Sequence, residues 1–379
     1  MTPNVLVIGA GVIGCSLAFE LTRRGAAVTV VDSAEVMSGT SSATFGWINA
    51  NKKKPVEYEL LNMLGLEAHE RARDERNIGT ADWFHQIGSI ELAASTDSLA
   101  ALEEKVDQLA SRGYKARILT RAEVESAEPS LDVLNVAGGA LYPKEGWIDA
   151  LTMCSHLMNA ARAQGATFKP FRRVIGLTLD GETTMSTADG LTESVKPDVT
   201  ILAAGNGNRP ILASAGIGFP TRPTLDCAST GHAYPSVGII TTTSPVDAGI
   251  RHMIHSPGVA IRPARNGGVT LTDAPTGAQW SHDDPRVWGV PTLLLERAQK
   301  LYPSLKSTTT ENVTLGTRVL PDDGVTIADW VGEEQKVYAI ATHSGVTLAG
   351  HLADAVASEV LDGTRHESLG PFGLDRFAS

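Results

Sequence analysis

Asn4-Val5-Leu6-Val7-Ile8-Gly9-Ala10-Gly11-Val12-Ile13-Gly14 reads as a strand running straight into a glycine turn. The continuous apolar run from Val5 to Ile8 suits a parallel strand whose two faces are both covered by helices. The glycine spacing permits a tight turn, close approach of backbone to a diphosphate and close helix-to-strand packing. The helix N-terminus behind it offers free N–H groups and the positive end of its dipole. Such a glycine pattern is weak evidence alone, and its surroundings strengthen it. A helical pattern runs from Cys15 to Arg24, with small Ala18 on it and Gly25 closing it. A second apolar strand, Ala27 to Val31, ends at Asp32, where a carboxylate can accept hydrogen bonds from ribose hydroxyls. An acid there disfavours a 2'-phosphate, which leaves NAD or FAD as the dinucleotide.

Working outward, the chain has 379 residues, enough for two or three domains, with 42% apolar and 20% charged residues and no low-complexity tract. Glycine, at 37 residues, is abundant, as tight turns and close backbone approaches require. The net charge of -11 argues against nucleic acid and anionic membrane surfaces as partners. Cys15, Cys154 and Cys227 are too scattered for a disulfide framework or a metal site, so no metal is expected. They fit a reducing, cytoplasmic compartment. Cys15 reads as a small packing residue on the first helix. Val5 to Phe19 lacks the basic leader of a secretory signal and is too short to span a membrane. The run Lys52-Lys53-Lys54 before Pro55 reads as a solvated loop.

Three further segments separate the dinucleotides. Gly39-Thr40-Ser41-Ser42-Ala43-Thr44-Phe45-Gly46-Trp47-Ile48-Asn49 offers hydroxyls and N–H groups, and Asp198-Val199-Thr200-Ile201-Leu202-Ala203-Ala204-Gly205 is a buried strand ending in small residues. His343-Ser344-Gly345-Val346-Thr347-Leu348-Ala349-Gly350 leads from the strand Val337 to Ala341 into an amphipathic helix reaching about Leu361. In this order, over essentially the whole chain, the segments resemble the D-amino acid oxidase and glycine/sarcosine oxidase superfamily of FAD-dependent oxidoreductases. Further landmarks are Gly139-Ala140-Leu141-Tyr142, Gly146-Trp147-Ile148-Asp149, Gly165-Ala166-Thr167-Phe168 and Leu315-Gly316-Thr317-Arg318-Val319-Leu320-Pro321-Asp322-Asp323-Gly324. A nicotinamide dehydrogenase needs only the first motif.

The resemblance implies an α/β fold: a Rossmann-type, glutathione-reductase-like FAD-binding domain with an α+β substrate domain built on an antiparallel sheet. It divides the chain into 1–85, 145–220 and 315–379 for the FAD domain and 86–144 and 221–314 for the substrate domain. It implies FAD contacts from Gly9, Gly11, Val12, Ile13, Gly14, Asp32, Ser33, Thr40, Ser41, Ser42, Val174, Ala204, Gly205, Gly345, Val346 and Thr347. The fragments Gly258 to Arg262 and Gly268 to Thr272 read as antiparallel strands, and Leu293 to Tyr302 as a helix stopped by Pro303.

The activity implied is oxidation of the C–N bond of an amino acid or secondary amine carboxylate, by hydride transfer to the flavin. Arg318 is the candidate grip for the substrate carboxylate, because a guanidinium holds both oxygens; an ion pair is the alternative. His343 reads either as a substrate contact or as a histidine hydrogen-bonded to backbone at a helix start. Relatives in this superfamily carry more glycines at this loop than Gly345 alone. Some attach flavin through a histidine near residues 39–46 or a cysteine near 315–325; neither is present, so FAD is expected to be non-covalent. No lysine lies between Lys196 and Lys300 to promote reaction with oxygen, which tilts the expectation toward another electron acceptor; Arg222, Arg251, Arg262 or Arg265 are other sources of positive charge. Trp47, Asn49, His232, Tyr234 and His252 are further pocket candidates. The competing functions are an FAD-dependent 2-hydroxy acid dehydrogenase and a flavin-binding subunit without turnover. Oligomeric state and substrate side chain have no signature here.

Overall fold

The computed structural model describes residues 2–75, 83–222, 237–277 and 284–378. Its first sheet has six strands in the order Ile327–Val331, Val337–Ala341, Val199–Leu202, Asn4–Ile8, Ala27–Val31, Thr167–Lys169. All neighbours are parallel except the edge pair formed by Ile327–Val331 and Val337–Ala341. Alternation along the first strand serves two cores, since successive side chains point to opposite faces. Val5 and Val7 pack with Leu17 and Ala18 of helix Val12–Arg23, Met153 and Leu157 of helix Ala150–Ala163, and Leu348 and Leu352 of helix Gly345–Asp362. Leu6 and Ile8 pack on the other side with Leu177, Met185 and Leu212. Both faces are covered, but the expectation of helices on both is corrected: the second face is covered mainly by the antiparallel strands Arg172–Leu177 and Thr183–Thr187, with Leu212 from the short helix Asn208–Ser214.

The second large sheet has eight strands: Thr310–Thr317, Val237–Thr243, Val269–Thr272, Val259–Pro263, Met253–Ser256, Ser89–Ala93, Gly138–Tyr142 and Arg117–Thr120. The two strands read from glycine-flanked fragments pair antiparallel, Ile261 opposite Leu271. The expectation of a wholly antiparallel sheet is corrected at one seam, where Met253–Ser256 runs parallel to Ser89–Ala93. There two stretches far apart in sequence meet, and no hairpin dictates their direction. Helix Val290–Leu301 packs on this sheet through Leu294 and Ala298 and gives way to a 3-10 turn at Pro303.

A short ribbon, Trp47–Ile48 with Gly146–Ile148 and Phe84–His85, forms a further sheet of three strands. Cys15 and Cys154 are fully buried, and Cys15 Sγ contacts Ala10 O at 3.4 Å, in keeping with a packing role. Cys227 lies outside the described residues. Among the described residues no helix is long and apolar enough to cross a membrane, and no cluster of three or more His, Cys, Asp or Glu could hold a metal ion.

Candidate active site

Steric limits shape the glycine turn. Gly9 has φ +108°, and a Cβ on it would stand 2.5 Å from Ala203 O. A Cβ on Gly14 would stand 1.8 Å from Gly9 O, so the first helix can sit this close to the strand only with glycine there. Asp32 Oδ2 accepts from Ala10 N at 2.7 Å and Oδ1 from Ala34 N at 2.9 Å, bracing the turn from the second strand. Ser33 is exposed beside it. Ser41 Oγ accepts from Val12 N at 3.1 Å, which brings the hydroxyl loop onto the helix start. The other two hydroxyls donate to backbone: Thr40 to Thr317 O at 2.5 Å, Ser42 to Gly39 O at 2.8 Å. Val174 is half-buried on strand Arg172–Leu177, whose first N–H donates to Asp32 O at 2.7 Å. Ala204 follows the strand Val199–Leu202, and a Cβ on Gly205 would stand 3.2 Å from Val319 Cγ2.

The closing helix arrives at the same place. A Cβ on Gly345 would stand 3.4 Å from Val12 Cγ1. Neither the helix Val12–Arg23 nor the helix Gly345–Asp362 has a side-chain cap or an acid in its first turn. Two positive helix ends therefore converge, a setting that favours an anionic ligand, and the Val12 N–H itself is taken by Ser41 Oγ. Asn49 Oδ1 is buried without a hydrogen-bond partner on the loop that faces Thr347, whose Oγ1 accepts from Asn49 N at 3.4 Å. These residues fit an extended dinucleotide: small at the turn, donor-rich at two helix starts, with an open acceptor on the adjoining loop.

His343 and Arg318 flank this junction. His343 is exposed and makes no hydrogen bond with the described residues, so the backbone-bonded alternative is not what is found. Enclosure by protein, then the positive charges of Lys53 and Arg318, push its pKa below the ordinary histidine value and favour neutral imidazole. The loop around it is rigidly held. Tyr58 OH donates to Ser344 Oγ at 2.8 Å, Ser344 N donates to Thr342 Oγ1 at 3.1 Å, and His69 Nε2 meets Val346 O at 2.8 Å. Arg318, half-buried, follows the strand Thr310–Thr317; its Nη2 lies 3.2 Å from where a Cβ on Gly238 would stand.

The segment after Trp47 bears out the solvated-loop expectation for the exposed Lys52 and Lys54 and corrects it for Lys53. Lys52 pairs with Glu91 at 3.4 Å and lies over the Trp47 ring, while Lys53 is half-buried. Burial lowers the Lys53 pKa, with Tyr58 and Glu145 opposing and Lys52 adding to the shift. The cause is an anchor that composition does not reveal, the fully buried Glu145. Its Oε1 accepts from Asn51 Nδ2 and Tyr114 OH, each at 2.5 Å; its Oε2 accepts from Trp47 Nε1 at 2.8 Å and Ser89 Oγ at 2.5 Å. Burial pushes the Glu145 pKa up and these four donors oppose it. Trp47 in turn lies against His255 with ring centroids 3.9 Å apart, and His255 Nε2 is a buried atom without a partner.

Of the other candidates, His252 is taken up elsewhere: its Nδ1 and N–H both meet the buried Glu128, which also accepts from Tyr302 OH. Arg262 is buried, donates from Nε to Phe45 O at 2.6 Å and covers the Trp147 ring at 4.2 Å. Arg265 pairs with Asp149, Arg222 donates to Asp322 O, and the Arg251 N–H donates to Glu128. His232 and Tyr234 lie outside the described residues. Lys53, Tyr58 and Glu145 were not singled out from sequence; the only signal was the position of the lysine run directly after the loop Gly39 to Asn49.

The sequence profile described as FAD dependent oxidoreductase matches residues 4–359. A subunit of the opine oxidase of Rhizobium meliloti is 26% identical over 386 aligned positions, covering 99% of this chain and 97% of that protein. The crystal structure of glycine oxidase from Geobacillus kaustophilus superposes with a TM-score of 0.82 at 22% identity, over 98% of this chain and 99% of that one. Iminodiacetate oxidase from Chelativorans sp. BNC1 superposes with a TM-score of 0.79 at 20% identity, over 97% of this chain and 98% of that one.

Proposed function

We propose, because this chain belongs to the FAD dependent oxidoreductase family, that it oxidises the C–N bond of an amino acid or secondary amine carboxylate to an imine, which water then hydrolyses. FAD, when bound, supplies the acceptor for the hydride that leaves the substrate carbon. The chain's residues do the rest by position and charge. The helix starts at Val12 and Gly345 present N–H groups to the anionic parts of the cofactor, and Asn49 Oδ1 presents an acceptor. Arg318 takes the substrate carboxylate and fixes its orientation. His343, kept neutral, contacts the substrate without adding a charge.

The observation that carries this reading is the meeting of the glycine turn, the loop Thr40 to Ser42 and the uncapped start of the closing helix, with Arg318 following the strand end that Thr40 ties down. It is supported by relatives whose names specify amine carboxylates, an opine oxidase and an iminodiacetate oxidase. A 2-hydroxy acid substrate is the second reading, favoured by a neutral imidazole that can accept a hydroxyl proton. The division of the chain at 85, 145, 220 and 315, the non-covalent attachment of FAD and an acceptor other than oxygen belong to the same proposal. The test is anaerobic mixing of the FAD-loaded protein with amino acids, N-methyl amino acids, cyclic imino acids and hydroxy acids. Bleaching of the flavin by amines alone is the expected result. Bleaching by hydroxy acids alone favours the second reading, and no bleaching by any of them refutes both.

A further inference from the structure

The helix Val56–Glu75 braces the closing helix along one face. Residues three and four apart on a helix are neighbours on its surface, so Tyr58, Gly65, Ala68 and His69 form a single stripe. Tyr58 OH donates to Ser344 Oγ at 2.8 Å. A Cβ on Gly65 would stand 2.5 Å from Thr347 O, and one on Gly350 3.4 Å from Ala68 Cβ, so the two helices meet in close backbone approach. His69 ends the stripe, 2% exposed, with Nε2 at 2.8 Å from Val346 O. A carbonyl cannot donate, so Nε2 carries the hydrogen and His69 is the donor. Burial lowers the His69 pKa and keeps the ring neutral. Trp83 and Phe84 wall it, with ring centroids 6.2 and 5.9 Å away. The carbonyl that His69 meets belongs to the peptide group joining Val346 to Thr347, whose other end is the Thr347 N–H. The first helical bond runs from Leu348 N to Ser344 O at 2.9 Å, and the Thr347 N–H makes none with the described residues. The Thr347 hydroxyl accepts from Asn49 N at 3.4 Å. Val346 O has two lone pairs, so the His69 bond adds to the one that helix geometry already gives this carbonyl. A hydrogen bond at the oxygen of a peptide group polarises it and makes its N–H a stronger donor.

We propose that His69 is a positioning residue for the cofactor: by donating to Val346 O it fixes and polarises the peptide group between Val346 and Thr347, so that the Thr347 N–H favours the negative charge that reduction leaves on FAD. This rests on the reading above that the helix start at Gly345 presents its N–H groups to the cofactor, and it is independent of which substrate is oxidised. His69 acts through that peptide group alone.

The test measures the midpoint potential of FAD in the loaded wild type and His69 variants, by equilibration with a reference dye, beside the Kd of oxidised FAD from equilibrium dialysis. A purely structural His69 would loosen oxidised and reduced FAD alike, raising Kd without moving the potential. His69→Leu is expected instead to lower the potential by about 15 mV or more, about a threefold loss of preference for the reduced cofactor at about 30 mV per tenfold for a two-electron couple. His69→Gln, whose amide N–H reaches the same carbonyl, should restore most of it. An unmoved potential in FAD-loaded His69→Leu overturns the proposal, and so does a His69→Gln potential as low as that of His69→Leu. If His69→Leu does not retain FAD, His69→Asn, whose amide stops short of Val346 O, stands in for it. Gly345→Asp separates the two levels. A Cβ there would stand 3.4 Å from its nearest contact, and an acid in the first turn opposes negative charge on the cofactor whatever His69 does. A lowered potential in Gly345→Asp with none in His69→Leu sinks the His69 role and leaves the helix-start reading standing. No shift in either variant sinks both.

Discussion

Replacing Glu145 by glutamine tests whether one buried carboxylate holds the loop that carries Trp47, Asn49 and Lys53. Each carboxylate oxygen accepts from one obligatory donor and one hydroxyl: Oε1 from the Asn51 amide and Tyr114, Oε2 from the Trp47 indole and Ser89. The glutamine NH2 must face one side. Against Trp47 it meets an N–H that cannot accept; against Asn51 it meets an amide whose oxygen is already bonded to Lys105 Nζ at 3.1 Å. Either way one buried donor is orphaned, at about 1 to 3 kcal/mol, and a charge-assisted bond is lost besides. Relief from burying a charge works in the opposite direction, but four donors already compensate that charge. The expected net cost is about 2 to 4 kcal/mol. For a chain of this length that is a fall in Tm of about 3 to 5 °C, read by calorimetry on the FAD-loaded protein. Because the same loop contacts Thr347, FAD affinity should fall by about tenfold in equilibrium dialysis. Glu145→Met, which orphans all four donors, should be worse on both measures. A Glu145→Gln protein with unchanged Tm and FAD affinity would refute the anchoring role.

Gly14→Ala puts a Cβ into the Gly9 carbonyl, so the first helix must move off the strand, and the protein should be purified with little FAD; Gly289→Ala, where the Cβ meets nothing within 4 Å, should keep its full complement. Equal flavin content in the two variants would disprove the packing argument. Arg318→Ala with FAD retained should raise KM by a factor of tens, the loss of a charge-assisted pair worth ~2 to 3 kcal/mol; an unchanged KM removes Arg318 from the substrate grip. Acid precipitation should leave a colourless pellet and a yellow supernatant, whereas a yellow pellet would mean a covalent bond. His255 and His351 are buried with pKa values pushed down to about 3 and about 4, and that of buried His69 is lowered too. The folded state therefore binds fewer protons than the unfolded chain below an ordinary histidine pKa of ~6.5, and stability present above that pH is lost as pH falls toward ~4. Denaturant unfolding should register a decline of about 2.5 kcal/mol per pH unit near pH ~5 from His255 and His351, to which His69 adds, and a flat profile from pH ~7 to ~5 contradicts the buried neutral histidines.

Much of the dinucleotide end is legible along the chain because its physics is local. A glycine at 14 is needed where a helix abuts its own preceding turn, and an acid at 32 stands at the end of the adjacent strand, close enough to accept from Ala10 N. The closing strand, turn and helix are equally local: an apolar run, a glycine, then helical periodicity give Val337–Ala341 and Gly345–Asp362. Periodicity carries no information on the parallel seam between Met253–Ser256 and Ser89–Ala93, since pairing direction depends on how distant segments arrive.

The amino-acid order alone was enough for the strand, glycine turn and helix that open the chain and for the strand, turn and helix that close it, because spacing and sterics within a few residues set each of them. Three-dimensional packing was needed to half-bury Lys53 within a basic run, to make Glu145 an anchor, and to tie His252 to Glu128. Those roles depend on burial and on charges brought together from segments far apart in the chain. Desolvation and Coulomb energy depend on distance through space, which the linear order of residues does not encode.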